Sequence, residues 1–300
     1  MNGFIINLLL FIMTQSLFAQ TTWQVYFLAG QSNMDGLGTV SDLPAELTSP
    51  DSTVMIFHGN SAPDGGDLGG LGKWSPLRPG HGWGFWFDGA VNHYSDLFGL
   101  ELSFARRLRE LQPAVPIALV KYSRAGTSID TAAADVFGCW TPDFDGTNQF
   151  DHFLTTVRNA LAVEDIDGDG RPDRLVPAGL IWMQGESDAL YSAAIAERYQ
   201  HNLARLVQAV RDELGNPDLP VAIGRISDSG QDGDGKFWDH AGIVRAAQAG
   251  FVAQDHRAAL ITDTDSYGYV ADGAHYDSPS LIALGQAFAE AIQRLNSGKR

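Results

Sequence analysis

The sequence is poor in cysteine: its 300 residues contain one, Cys139. A single cysteine cannot build an internal disulfide framework, so the stability of the chain must come from its packed core. A free thiol can also act as a nucleophile. Because the segment 137–140 around Cys139 has no other catalytic signature, we favour a packed thiol.

Positive charge is also scarce, with 20 Lys and Arg against 36 Asp and Glu and a formal net charge of -16. Phosphate backbones demand a surface rich in Lys and Arg, which argues against DNA or RNA as the main partner. The same balance disfavours an anionic membrane surface. The negative net charge is compatible with a neutral or a cationic ligand and does not distinguish between them.

Long apolar runs are missing beyond the first twenty residues, so we expect no membrane span. Residues 1–20 carry no charged side chain, and the apolar run 4–13 is about half of the ~20 residues that a spanning helix needs. This pattern predicts a signal peptide, residues 1–19, cut after Ala19, and hence a secreted or periplasmic protein. The alternative is a buried N-terminal helix. We favour the signal peptide because a strand-like segment, 23–29, follows at once.

The hydrophobic fraction of 44% is ordinary for a globular chain. Strand-like runs alternate with amphipathic stretches of helical period, which predicts βαβ units. The predicted strands are 25–29, 54–57, 117–122, 178–183, 221–226 and 259–262. The predicted helices are 100–111, 150–162, 189–214, 241–254 and 279–295, the last with Ser278 as its N-cap. The fold class is therefore α/β, a three-layer α/β/α sandwich with a central, mostly parallel sheet, in one domain over residues 20–300.

Two stretches, 59–89 and 131–147, interrupt this alternation and are rich in Gly, Pro and Trp. Long irregular connections are often functional, and we expect both at one rim of the sheet. Their tryptophans can stack on sugar rings or form small cores that hold the loops, and we expect some of both. The tryptophans are Trp74, Trp83, Trp86 and Trp140.

The first predicted strand ends in Ala29-Gly-Gln-Ser-Asn-Met-Asp35. Ligands of open parallel sheets bind beyond the carboxyl ends of the strands, so Ser32 falls where a nucleophile could stand. The turn is not the Gly-x-Ser-x-Gly elbow, because Met34 takes its last place. The alternative is a serine that caps the first helix.

Near the other end, Asp272 precedes His275 by three residues, just before the last predicted helix. A histidine removes the proton of a serine hydroxyl near neutral pH, and a carboxylate fixes its tautomer. The alternative is a surface histidine in a polar turn. The presence of a strand-end serine favours the catalytic interpretation.

These two segments resemble the first and last conserved blocks of the SGNH hydrolases. The resemblance is strongest to the sialate O-acetylesterase-like branch, the family-six carbohydrate acetylesterases. Two middle segments agree in order and spacing: Tyr122-Ser-Arg-Ala-Gly-Thr-Ser-Ile129, and Trp182-Met-Gln-Gly-Glu-Ser-Asp188, which is similar to the Trp-x-Gln-Gly-Glu-x-Asp block of this branch. In the first of these, Ala125 stands where glycine is usual.

The resemblance implies a Ser-His-Asp triad in which Ser32 is the nucleophile, His275 the base and Asp272 its orienting acid. It also implies an oxyanion hole made by the N–H groups of Ser32 and Gly126 and by the side-chain amide of Gln184. The residues expected to support this site from behind are Gln31, Asn33 and Glu186. Ser187 is a rival nucleophile, but we expect it to cap the following helix.

The implied activity is removal of acetyl groups from a carbohydrate through an acyl-serine intermediate, with no cofactor required. Motifs for a zinc protease, a phosphate loop or a dinucleotide site are absent. One alternative is an SGNH esterase of lipid or aryl esters. Another is a non-catalytic carbohydrate-binding module on the same fold, against which the intact triad argues.

An aspartate-glycine loop, 165–173, resembles the first half of a calcium-binding loop, with Val176 in place of the final Glu. A weak structural calcium site and a solvated turn are equally good interpretations. The expected ligands are Asp165, Asp167, Asp169 and Asp173. A second such loop, 228–235, is less regular, and we expect a polar loop near the active rim.

Overall fold

The computed structural model describes residues 20–61 and 69–298, and the predicted signal peptide, residues 1–19, lies outside them. The strands are β1 (Thr22–Gly30), β2 (Gly38–Thr39), β3 (Asp51–His58), β4 (Trp74–Leu77), β5 (Trp86–Phe87), β6 (Asn92–His93), β7 (Leu97–Phe98), β8 (Ile117–Ser123), β9 (Arg174–Met183), β10 (Val221–Gly224) and β11 (Ala258–Ile261). The helices are α1 (Ser32–Asp35), α2 (Glu101–Leu111), α3 (Gln149–Leu161), α4 (Glu186–Tyr191), α5 (Ala193–Glu213), α6 (Ala241–Gln254) and α7 (Ser278–Asn296).

The main sheet has the strand order β11-β10-β9-β1-β8-β3-β4. All neighbouring pairs are parallel except β3 and β4, which are antiparallel. β1 lies in the middle, where Leu28 pairs with Lys121 of β8 and with Ile181 of β9. Because the strands are buried on both faces, they read as continuous apolar runs rather than as alternating ones.

Helices cover both faces of this sheet. On one face α2 packs against α7, and the ring of Phe104 from α2 meets the edge of Tyr26 from β1. On the other face Trp140 contacts both Phe153 of α3 and Trp182 of β9. The predicted α/β/α sandwich is therefore confirmed.

Three local expectations were wrong. Strand β4 lies inside the stretch 59–89 that we expected to be irregular, and it forms the antiparallel sheet edge where Pro76 is tolerated. The helix predicted over 189–214 is broken at Ser192, whose extended backbone ends α4 and whose hydroxyl caps α5 by accepting the N–H of Ile195. The last helix is capped by Asp277, not by Ser278, because the Asp277 carboxylate accepts the N–H of Ser280.

Candidate active site

Ser32 lies at the carboxyl end of the central strand, in a turn that only glycine permits. Gly30 has a φ of 150°, and a Cβ atom there would lie 1.9 Å from the carbonyl oxygen of Met183 on the adjacent strand. The N–H of Gln31 donates to the same oxygen at 2.9 Å, and α1 begins directly afterwards. The close contact between β1 and β9 therefore forces the chain to turn at Ser32.

Asp272 and His275 form a pair in the loop before α7. The Nδ1 atom of His275 lies 2.6 Å from Oδ2 of Asp272, while Oδ1 accepts the N–H groups of Ala274 and His275. Partial burial raises the pKa of Asp272, but these hydrogen bonds outweigh burial and hold the pKa below its ordinary value. The carboxylate is thus ionised at neutral pH and oriented toward the imidazole.

Asn33 brings this loop to the serine. Its side-chain nitrogen donates to the carbonyl of Ala274 at 3.4 Å, and its side-chain oxygen accepts the N–H of Tyr276 at 3.0 Å. Both chain neighbours of His275 are therefore fastened to the residue that follows Ser32. Among the described residues, no hydrogen bond joins the imidazole to the Ser32 hydroxyl; such bonds often tighten only when a substrate is bound.

Gly126 lies in the loop after β8, on the other side of Ser32. Its φ is 75°, and a Cβ atom there would lie 2.7 Å from the ring of Phe137. The neighbouring Arg124 N–H donates to the carbonyl of Gly30 at 3.1 Å, which ties this loop to the serine turn. Within the described ranges, the N–H groups of Ser32 and Gly126 have no acceptor and are available to a ligand.

Gln184 does not fit the role that the resemblance implied. It is fully buried, and its amide nitrogen donates to Asp188 at 2.7 Å, to the carbonyl of Thr127 at 3.0 Å and to Gln31 at 3.1 Å. A primary amide has two hydrogens, and three acceptors already share them. The arrangement argues against donation by Gln184 to an oxyanion.

Two buried acids follow Gln184. Glu186 accepts a hydrogen bond from Asn33 at 2.8 Å, and burial raises its pKa despite this bond. Asp188 accepts the main-chain N–H groups of Ile129 and Asp130, and burial raises its pKa to about 6. Asp188 therefore joins α4 to the segment that follows Gly126.

Ser187 does not cap α4 as expected. The helix begins at Glu186 with Gly185 as the N-cap, and Ser187 is buried in its first turn. Its main-chain N–H donates to the side-chain oxygen of Gln31 at 3.3 Å. Ser187 thus supports the serine turn through its backbone.

Beneath α1 lies a buried ion pair that the sequence reasoning missed. The ammonium group of Lys121 donates to Glu101 at 2.8 Å and to the carbonyls of Asp35 and His81 at 2.9 and 2.8 Å. Burial raises the pKa of Asp35, whose carboxylate accepts the hydroxyl of Ser123. A lysine inside the apolar strand 117–122 was the available signal, because a buried charge needs a partner.

The aspartate loop brings three of the four expected calcium ligands together. Oxygen atoms of Asp165, Asp167 and Asp173 lie within 4.8 Å of one another, and Asp169 is outside this group. The pKa of Asp167 is raised, mainly by burial and also by repulsion from the neighbouring carboxylates. A bound cation would relieve this repulsion. Both oxygens of Asp165 already accept main-chain N–H groups.

The tryptophans divide as expected between core and surface. Trp74 and Trp140 are buried, whereas Trp83 and Trp86 are about half exposed. The N–H of Trp83 donates to the carbonyl of Gly36, directly after α1. Cys139 is a buried free cysteine, as predicted, and burial raises the pKa of its thiol.

The parallel sheet, with a serine turn at its central strand and an Asp-His loop before its last helix, has the architecture of the SGNH hydrolases. A family model described as carbohydrate esterase, sialic acid-specific acetylesterase, matches residues 22–294. The chain belongs to this family of carbohydrate esterases. No helix of the described residues is long and apolar enough to cross a membrane.

A probable carbohydrate esterase of Arabidopsis thaliana is 29% identical over 112 residues, which are 37% of this chain and 38% of the relative. The alignment thus spans little more than a third of that protein. An Arabidopsis thaliana structure has a TM-score of 0.63 at 20% identity and covers 92% of this chain and 98% of its own. At such identity, structural likeness shows the fold alone.

Two further solved structures share the fold. A carbohydrate acetylesterase from Xanthomonas citri has a TM-score of 0.64 at 20% identity, covering 92% of this chain and 57% of its own. NanS has a TM-score of 0.63 at 17% identity, and the match covers 94% of this chain and 100% of NanS.

Proposed function

We propose that this carbohydrate esterase is an exported O-acetylesterase that uses Ser32, His275 and Asp272 to deacetylate sugars or polysaccharides. The observation that carries the proposal is the attachment of the Asp272–His275 loop to the residue after Ser32. These hydrogen bonds join segments that are 243 positions apart in the sequence. A surface histidine in a polar turn would not need such a connection to the serine, whereas a catalytic base would.

In the reaction, the Ser32 oxygen attacks the acetyl carbonyl while Nε2 of His275 takes the hydroxyl proton. Asp272 holds the other ring nitrogen and stabilises the imidazolium. The N–H groups of Ser32 and Gly126 bind the negative oxygen of the tetrahedral intermediate. The imidazolium then returns its proton to the departing sugar oxygen, which leaves an acetyl-serine, and water activated by His275 releases acetate.

The half-exposed Trp83 supports a sugar as the substrate. Its main-chain N–H donates to the carbonyl of Gly36, four residues after Ser32, and its side chain is half exposed. An exposed aromatic face provides a stacking surface for the apolar face of a sugar ring. The apolar side chains Val136 and Phe137 are exposed as well, and a lipid or aryl ester would use them instead.

The test compares Ser32→Ala with Ser187→Ala as a matched control. Acetate release is measured from acetylated xylan, pectin, mannan and sialosides, and from simple lipid and aryl esters. Ser32→Ala should abolish turnover with an unchanged melting temperature, and Ser187→Ala should retain it, because Ser187 supports the turn through its backbone. Turnover by Ser32→Ala would refute the mechanism, and a preference for lipid or aryl esters would refute the substrate class.

Export has its own test. The protein released from an expressing cell should begin at Gln20 when its N-terminus is sequenced. A released or retained protein that still carries residues 1–19 would refute the signal peptide.

A further inference from the structure

The side chain of Gln31 is held in one orientation by three N–H donors. Its Oε1 atom accepts the side-chain amide of Gln184 at 3.1 Å and the main-chain N–H groups of Gly185 and Ser187 at 3.2 and 3.3 Å. A side-chain amide is planar, with oxygen and nitrogen on opposite sides of the same carbon. Because three donors converge on the oxygen, the nitrogen must point away from them.

The Gln31 nitrogen has no acceptor among the described residues, although Gln31 is almost fully buried. The nitrogen is nevertheless not fully shielded, because the buried polar atoms that lack both solvent contact and a partner do not include it. It therefore reaches solvent-accessible space. Buried polar groups in native proteins are nearly always hydrogen-bonded, and an unused donor at the edge of a site calls for a ligand.

Two connections relate the Gln31 side chain to the serine turn and to the loop of Gly126. Gln31 directly precedes Ser32, and its oxygen shares the Gln184 amide with the carbonyl of Thr127, which follows Gly126. The Gln31 side chain is therefore joined, by the chain and through Gln184, to the two segments whose main-chain N–H groups have no acceptor among the described residues, those of Ser32 and Gly126.

We infer that the side-chain N–H of Gln31, and not that of Gln184, is the third donor of the oxyanion hole. The inference deepens the proposed function and depends on it. Gln184 acts one step further back: its amide helps to fix the Gln31 oxygen and so aims the Gln31 nitrogen. Removal of one oxyanion donor usually lowers kcat by a factor of ~100–1000.

The test is Gln31→Glu, which keeps an oxygen for the three N–H groups and replaces the donor by an acceptor. We expect kcat per active site to fall at least ~100-fold with little change in KM, because the oxyanion exists only in the transition state. Active sites are counted by labelling Ser32 with a fluorophosphonate. Gln31→Met, which lacks the charge of glutamate, should lower kcat in the same way.

Gln248→Glu is the matched control. Gln248 is also a buried glutamine, but its amide hydrogens are taken by the carbonyls of Gln184 and Gly224, at 3.1 and 3.2 Å. This variant should lower the melting temperature and keep kcat per active site.

Wild-type kcat in Gln31→Glu would overturn the inference. So would a loss of folded protein, rather than of kcat, in both Gln31 variants, which would assign Gln31 a structural role. Ser32→Ala in the same assay separates the two levels: if it still turns over, the proposed function fails, and if it is inactive while Gln31→Glu is not, only the Gln31 inference fails.

Discussion

Two side-chain pairs, each made of a basic and an acidic residue, are connected to the serine turn. Lys121 and Glu101 lie in the core next to the end of α1, and His275 and Asp272 lie on the loop before α7. Lys121 and Glu101 are 2.8 Å apart, and both side chains are 0% exposed. His275 and Asp272 are 2.6 Å apart, with 24% and 45% of their side chains exposed. The two pairs have nearly the same length but opposite relations to solvent.

Under the proposed mechanism, this difference in solvent exposure distinguishes a pair that supports the structure from a pair that takes part in the reaction. The Lys121–Glu101 pair contacts no solvent, and its ammonium group has three partners, so it can only hold the end of α1 in place. Under the proposed mechanism, the His275–Asp272 pair exchanges protons with substrate and water, and its partial exposure to solvent allows this. Substitutions in the lower pair should therefore change stability, and those in the upper pair should change the rate.

The largest effect is expected for Asp272→Asn. The asparagine oxygen still accepts the N–H groups of Ala274 and His275, so the loop should keep its shape. The imidazole loses the acceptor that fixes its tautomer, and kcat should fall ~10⁴-fold with a nearly unchanged melting temperature. Acetate release and thermal unfolding of the same sample check both statements. Full activity would remove Asp272 from the triad.

Lys121→Met should have the next largest effect, and on stability. It leaves the Glu101 carboxylate buried without its cation, which costs about 3–5 kcal/mol of the free energy of unfolding. Arg205→Ala is the control, because Arg205 and Asp143 are also 2.8 Å apart but 45% and 82% exposed, and such pairs contribute about 1 kcal/mol or less. Urea unfolding measures both. Equal losses in the two variants would contradict the comparison.

Asp188 extends the comparison to an acid that is buried like Glu101 but held by N–H groups. Burial raises its pKa from 3.8 to about 6, so between these values the folded protein binds a proton that the unfolded chain releases. Stability should therefore fall as the pH rises from about 4 to about 6, by about 3 kcal/mol for a shift of this size.

Asp188→Asn should flatten this part of the stability profile, because asparagine does not titrate and its oxygen still accepts from Ile129 and Asp130. The free energy of unfolding is measured in urea at several pH values for both proteins. Parallel profiles would show that Asp188 does not titrate in this range.

The smallest effect is expected at the aspartate loop, where Asp165, Asp167 and Asp173 are exposed or partly exposed rather than buried like Glu101. Millimolar calcium should raise the melting temperature by roughly 2–4 °C through Asp165, Asp167 and Asp173. Asp167→Asn should reduce the rise. If calcium and a chelator give the same melting temperature, the loop is a solvated turn.

The sequence alone predicted six of the seven strands of the main sheet and missed β4. It also placed Ser32 directly after the end of a strand, and Asp272 and His275 just before the last helix. These predictions depend on periodicity and on the rule that ligands bind beyond strand ends, which act locally. The hydrogen-bond partners of Gln184 were not accessible in this way. A motif shows that an amide is present, whereas the acceptors of its hydrogens come from residues 57 and 153 positions away.

The capping errors have a similar cause. Ser187, Ser192, Asp277 and Ser278 all have side chains that cap helices well, and the sequence offers no choice between neighbours. The choice depends on where the backbone leaves the extended region. The packing of α4 against α5 and α6, and of α7 against α2 and the sheet, decides that.

The bond between Asn33 and Tyr276 joins residues 243 positions apart. During synthesis the serine turn leaves the ribosome long before the loop that carries its base. If Ser32 is the nucleophile as proposed, the sheet around it can form while Ser32 is still inert, and activity arises only when the segment before α7 docks onto Asn33. Under the proposed mechanism, an esterase built in this order stays inactive for most of its translation and gains activity in a single late folding step.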